Sequence, residues 1–146
     1  MSLVSERGID GLLADARARI RRWSPAELAE AVAGGAVVVD IRSGDERVRN
    51  GIVPGSVHVP RSVLEWRLDP GSGWPNPRLA DRELELILLC AEGFSSSLAA
   101  ASLVDLGFER AGDLVGGFTA WRDAGLPVSP APPPPDGLPG MGGPDE

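Results

Sequence analysis

Apolar residues change spacing along this chain, and each change marks an element. Ile9, Leu12, Leu13, Ala16 and Ile20 recur close to the i, i+3, i+4, i+7 period of an amphipathic helix. Ile20 to Trp23 predicts a short edge strand. Ser24-Pro25-Ala26-Glu27 then starts a helix, with Ser24 as N-cap, Pro25 at the first helical position and Glu27 closing a capping box. Gly34-Gly35 ends it. Ala36 to Arg42 is a continuous, largely β-branched run, the pattern of a strand buried on both faces in a parallel sheet. Ser43-Gly44-Asp45-Glu46 turns into a short helical stretch ending near Asn50-Gly51. Pro54-Gly55 marks a turn, Ser56 to Pro60 a short strand, and Val63 to Leu68 one or two helical turns. The Gly/Pro-rich stretch from Asp69 to Pro77 is a loop, with Trp74 expected to pin it to the body.

Leu84-Glu85-Leu86-Ile87-Leu88-Leu89 is an apolar, strand-like segment interrupted only by Glu85, and it runs directly into Cys90. A loop of one glycine and three serines follows, then a helix from Ser97 to Leu106 capped by Gly107. Asp113 to Val115 predicts another short strand, Gly116-Gly117 a turn, and Phe118 to Ala124 a last helix. Trp23 and Trp121 are read as core residues. From Pro127 onward proline and glycine dominate, a composition that cannot build a core. The chain therefore divides into an N-terminal helical extension (1–19), a single α/β domain (20–128) and a flexible tail (129–146), whose alternative reading is a polyproline ligand for a protein partner. Strands alternating with helices imply a mostly parallel, five-stranded sheet with helices on both faces. Ligands of such sheets bind outside the carboxyl ends of the strands, where Cys90, Asp40 and Arg42 all fall.

The balance of 14 basic against 21 acidic residues, a net charge of −7, argues against a nucleic-acid partner. No apolar run reaches the roughly 18 residues that span a bilayer, so no membrane partner is expected, and no secretory leader is seen. One cysteine and one histidine make no metal-ligand cluster and no internal disulfide, so the expectation is no cofactor, no metal and a cytoplasmic setting. The cluster Arg17, Arg19, Arg21 and Arg22 reads as a solvated helix face and its exit.

Cys90 is the candidate nucleophile. It lies between a strand and a helix mouth, where unpaired N–H groups and the positive dipole end favour an anionic sulfur. Gly93 lets the loop curl through a conformation other residues resist, so that the N–H groups from Ala91 through Glu92, Gly93, Phe94 and Ser95 to Ser96 could form an anion-binding nest. A buried, inert cysteine is the plainer alternative. His58 lies in a separate strand and reads as structural, since a thiolate at a helix mouth needs no separate base.

Four segments together resemble the rhodanese-like sulfurtransferase domains over roughly Ile20 to Val128. Val38-Val39-Asp40-Ile41-Arg42 with Glu46 is similar to the family's Asp-x-Arg strand end. Gly51-Ile52-Val53-Pro54-Gly55-Ser56 resembles its Gly-His-Ile-Pro-Gly-Ala turn, with Ile52 in place of the histidine. Cys90-Ala91-Glu92-Gly93-Phe94-Ser95-Ser96 resembles its active loop. Gly116-Gly117-Phe118-Thr119-Ala120-Trp121 with Gly125-Leu126-Pro127-Val128 is similar to its C-terminal signature. The resemblance implies ping-pong sulfur transfer from a small anionic or persulfide donor, such as thiosulfate, to cyanide or a thiol through a Cys90 persulfide. Ser95 and Ser96 would add hydroxyl donors beside the sulfur and cap the next helix.

The loop departs from the family in carrying Glu92 and no Arg or Lys. Glu92 should repel thiosulfate and, facing the sulfur, raise the cysteine pKa. Arg47, Arg61 and Arg67 are the candidate substrate-binding cations. Arg42 is expected to pair with Asp40 or Glu46 and support the strand ends. A phosphatase or arsenate reductase would place arginine six residues after its cysteine, where this chain has Ser96. A non-catalytic binding or regulatory module of the same fold is the alternative from outside enzymology.

Overall fold

The computed structural model describes residues 4–133, with side chains from residue 8 onward. The elements run α1 (Val4–Ala18), β1 (Arg21–Trp23), α2 (Pro25–Ala33), β2 (Val37–Asp40), α3 (Gly44–Asn50), β3 (Val57–His58), a 3-10 turn (Arg61–Val63), α4 (Leu64–Leu68), β4 (Leu86–Leu89), α5 (Ser95–Asp105), β5 (Ala111–Leu114) and α6 (Gly117–Asp123). The local signals account for many of these bounds. Ser24 accepts from the Glu27 N–H at 3.2 Å while Glu27 accepts from the Ser24 N–H at 2.8 Å, the reciprocal cap read from the sequence. Ser43 and Glu46 make a second capping box at the start of α3. Glu46 is thereby committed to its helix, and Arg42 takes Asp40 as its carboxylate.

All five strands are parallel, in the order β1-β5-β4-β2-β3. Alternate side chains of one strand point to opposite faces, and β4 divides accordingly. Leu86 and Leu88 join a cluster with Leu64, Leu68, Ala99 and Leu103 from α4 and α5. Ile87 and Leu89 join Leu28, Phe118 and Trp121 from α2 and α6. Burial on both sides explains why β4 reads as an unbroken apolar run. Helix α1 lies outside this three-layer body, against α5, with Leu13 and Ala16 buried.

The chain crosses back after α6. Trp121 donates its ring N–H to the Pro127 carbonyl at 2.7 Å, and Ser129 pairs antiparallel with Ile52 through hydrogen bonds of 2.8 and 3.0 Å. Ser129, placed in the tail by composition, thus belongs to the folded body. The tail from residue 134, and any polyproline ligand there, lies outside the described residues. Trp74 is exposed rather than packed; the backbone holds its loop, since Arg67 donates to the Trp74 carbonyl at 2.7 Å and Ser72 ties Trp74 to Trp66. No described helix is long and apolar enough to cross a membrane.

Candidate active site

Strand β4 ends at Leu89 and delivers Cys90 to the carboxyl edge of the sheet, at the floor of a cleft of about 310 Å³. Ile41, Arg42, Ser43 and Glu46 form one wall, and Ala91, Glu92, Phe94 and Ser95 the other. The thiol is buried, and its sulfur accepts the N–H of Gly93 at 3.1 Å and of Ser96 at 3.4 Å. Gly93 can do this because it sits at φ +86°, and it has no room for a side chain. A Cβ there would lie 2.7 Å from the Gly116 nitrogen. Gly117 is required for the same reason from the other side, since its Cβ would meet the Cys90 carbonyl at 2.5 Å.

The remaining loop peptides are oriented from outside. The Cys90 carbonyl accepts from Phe118 N–H at 2.9 Å, and the Ala91 carbonyl from Thr119 N–H at 3.1 Å, both at the start of α6. The Gly93 carbonyl accepts from two guanidiniums, Arg17 at 2.9 Å and Arg22 at 3.1 Å. In a trans peptide the C=O and the following N–H point opposite ways, and no cis bond is present. Holding three carbonyls outward therefore turns the N–H groups of Ala91, Glu92 and Phe94 the other way. None of the three donates to a protein atom among the described residues.

Behind the loop lies a buried ionic knot that the sequence reading did not find. Asp113, fully buried in β5, accepts from the hydroxyls of Ser96 (2.8 Å) and Ser97 (2.7 Å) and from Arg22 at 3.0 and 3.3 Å. Arg17 adds a bond to Ser97 Oγ at 3.0 Å. Arg17 and Arg22, expected on a solvated face, are instead the outer clamp of the cysteine loop. The available signal was Asp113 itself: a carboxylate inside a strand buried on both faces must have donors. Ser96 does not cap α5. That helix starts after Phe94 with no side-chain cap, and the Ser96 hydroxyl bonds Asp113 rather than a backbone N–H of the helix.

The Cys90 thiol is held below its ordinary pKa. Burial pushes it up, but the hydroxyls of Ser96 and Ser95 and the N–H groups of Ser96 and Gly93 more than offset that. The Ser96 hydroxyl has one proton and shares it with Asp113, so the backbone N–H groups are the dedicated donors. The rise expected from Glu92 is not what the site shows, because Glu92 is exposed at the rim. A lowered pKa means the thiolate persists as pH falls below the usual thiol range. Alkylation of Cys90 by iodoacetamide, followed against pH, should accordingly reach half-maximum below about 8.5, the midpoint of an unperturbed thiol. A midpoint at or above that value would refute the reading.

The three arginines proposed as substrate cations do not line the cleft. Arg47 is 5% exposed and bonds Asp40 at 3.1 Å. Arg67 is 7% exposed and holds the Trp74 carbonyl. Arg61 is paired with Glu65 four residues on, at 2.9 Å. The arginine that does reach the cleft wall is Arg42, and its guanidinium is bound bidentately to Asp40 (3.0 and 2.7 Å) and to the Gly51 carbonyl at 2.9 Å. It also lies 4.1 Å over the Phe118 ring. His58 Nε2 bonds the Arg42 carbonyl at 2.8 Å, a structural contact.

A parallel sheet presenting one cysteine in a glycine loop, with two backbone N–H groups on its sulfur, defines a class of α/β protein with an anion-stabilising cysteine loop. Residues 24–124 match the model of the rhodanese-like domain, and the chain belongs to that family. It is 38% identical over 99 residues to the thiosulfate sulfurtransferase GlpE of Stutzerimonas stutzeri, covering 67% of this chain and 82% of that protein. Among solved structures, a Rhodopseudomonas palustris protein of unknown function, described as "Possible Tyrosine Phosphatase", aligns with TM-score 0.79 and 36% identity over 88% of this chain and 99% of its own. The human single-domain sulfurtransferase TSTD1 aligns with TM-score 0.61 and 27% identity, over 70% of this chain and 95% of its own.

Proposed function

We propose that the protein is a sulfurtransferase that carries a sulfane sulfur on Cys90. The observation behind this is the pair of N–H groups on Sγ within a loop whose neighbouring N–H groups are unused and oriented from outside. Such a cradle stabilises negative charge on the cysteine sulfur and on one further atom beyond it. A relative named thiosulfate sulfurtransferase matches 67% of the chain at 38% identity, which supports the same reading. In the first half-reaction the Cys90 thiolate attacks the outer sulfur of thiosulfate. The new S–S bond forms as the old one breaks, and sulfite leaves with the bonding pair. In the second half-reaction cyanide, or the thiolate of an acceptor, attacks the outer sulfur of the persulfide, and the Cys90 thiolate leaves. The outer sulfur is the anionic end of the persulfide, which the inward N–H groups are turned to hold. The lowered pKa of Cys90 supplies the attacking thiolate without a base.

The phosphatase reading is weaker here. Arg17 and Arg22 bond the Gly93 carbonyl from behind, and Arg42, on the cleft wall, has its guanidinium committed to Asp40 and the Gly51 carbonyl. A phosphate needs its guanidinium on the cleft side.

Donor choice is set at the rim. Glu46 and Glu92 line the cleft, and its one arginine is already neutralised by Asp40. A dianion such as thiosulfate therefore meets net negative charge, which favours less charged persulfide donors. Glu92→Arg should lower the Michaelis constant for thiosulfate by about threefold to tenfold, the range expected for reversing one exposed charge, with little change in turnover number. Steady-state kinetics of thiocyanate formation checks this. An unchanged constant would mean that the Glu92 carboxylate does not meet the donor.

A further inference from the structure

Arg17 stands upstream of residue 24, where the family match begins, in a helix that lies outside the sheet and its flanking layers. Yet its guanidinium makes three contacts with the cysteine loop and its helix: the Gly93 carbonyl at 2.9 Å, Ser97 Oγ at 3.0 Å and the Phe94 ring at 5.7 Å from the centroid. The helix that carries it is fixed against α5 by Leu13 and Ala16. The neighbouring Arg19 shows what a surface arginine does here: it pairs with Asp105 across exposed side chains, at 2.6 Å.

We propose that Arg17 is a positioning residue for the sulfur site, so that helix α1 is part of the catalytic apparatus rather than an appendage. Its bond to the Gly93 carbonyl fixes the plane of the Gly93–Phe94 peptide and aims the Phe94 N–H at the place of the transferred sulfur. Its bond to Ser97 ties the first turn of α5, which supplies the Ser96 N–H, to the same guanidinium. Arg22 shares the Gly93 carbonyl but is anchored to Asp113. Arg17 is thus the part of the clamp whose hold depends on α1 being docked. Whatever displaces α1 from α5 would loosen the sulfur cradle without touching the cleft.

This rests on Cys90 being the sulfur carrier, and the test separates the two. The charged groups around Cys90 are Arg42, Glu46 and Glu92 on the cleft side and Arg17, Arg22 and Asp113 behind the loop. Arg17→Gln, Arg17→Lys and Arg19→Gln are compared with the parent chain by the pH midpoint of Cys90 alkylation, by kcat and KM for thiosulfate, and by thermal midpoint. Arg17→Gln should raise the alkylation midpoint by about one pH unit, as expected when the Gly93 and Ser96 donors that Arg17 holds in place lose their geometry. It should lower kcat by about tenfold or more, the order of effect of a displaced reacting group, with KM within about twofold. Arg17→Lys, which keeps the charge and one hydrogen bond, should fall between, and Arg19→Gln should match the parent. The alkylation arm needs only the thiol. Should the parent transfer no sulfur, the function above fails while the midpoint shift still decides the role of Arg17. An Arg17→Gln chain with parental midpoint and kcat would overturn the proposal. So would a defect confined to KM, or one that Arg19→Gln reproduces. If Arg17→Gln does not fold, parental values for a folded Arg17→Lys would overturn it equally.

Discussion

Cys90→Ser should abolish sulfur transfer, lowering turnover with thiosulfate and cyanide by at least about three orders of magnitude, the scale on which removing a covalent nucleophile acts. The substitution keeps a side chain of nearly the same shape in a site already filled by donors. The N–H groups of Gly93 and Ser96 would still find an acceptor, and the loop should keep its course. What disappears is a soft nucleophile ionised near neutral pH; a serine hydroxyl in that position remains protonated. Thermal unfolding within a few degrees of the parent, together with lost turnover, is the expected pair of results. Retained turnover would place the sulfur elsewhere, and this chain has no second cysteine to receive it.

Asp40→Ala should cost more stability than any change at the cleft rim, about 3–5 kcal/mol. Asp40 is fully buried at the end of β2 and is the shared carboxylate of two guanidiniums. It accepts Arg42 Nε at 3.0 Å, Arg42 Nη2 at 2.7 Å, Arg47 Nε at 3.1 Å and the Arg42 backbone N–H at 3.1 Å. The Arg42 and Arg47 side chains are only 1% and 6% exposed, so water cannot replace the lost partner. Removing the carboxylate leaves two buried cations and an unpaired N–H. A domain of this size holds only about 5–15 kcal/mol in total, so the variant should unfold at a much lower urea concentration with a similar slope. Arg42 also forms part of the cleft wall, so the folded remainder should transfer sulfur poorly. A loss below about 1 kcal/mol would show that these arginines find solvent when Asp40 is gone.

The frame of the site was legible in the sequence because its signals are local. The unbroken apolar run Leu86 to Leu89, the Ser24 capping box and the Gly93 turn each depend on residues close together in the chain, and each lies where its pattern placed it. The Asp40–Arg42 pair was within reach for the same reason. The clamp behind the loop was not, because it is assembled over 71 to 91 residues of sequence separation and ends on a backbone carbonyl, which leaves no trace in side-chain spacing. Arg17 falls on a helix whose exposed and packed faces periodicity separates only coarsely, and its partner helix α5 mixes four serines among its apolar residues, so no clean apolar stripe marks the face that receives α1. Arg47 was misplaced by a similar gap. An arginine on a short polar helix looks solvated until the strand end beside it turns out to carry a buried aspartate in need of a second cation. Asp113 was the clue within an otherwise apolar strand, and it points to the part of the site that lies before residue 24.

Cys90 as the sulfur carrier is tested most directly by the intact mass of the protein after thiosulfate is added and removed. The expected spectrum shows the chain heavier by one sulfur atom, with the added mass on the peptide containing Cys90 and discharged as thiocyanate when cyanide is supplied. An unchanged mass, from a chain whose Cys90 alkylates normally and with a persulfide donor also giving none, would contradict it.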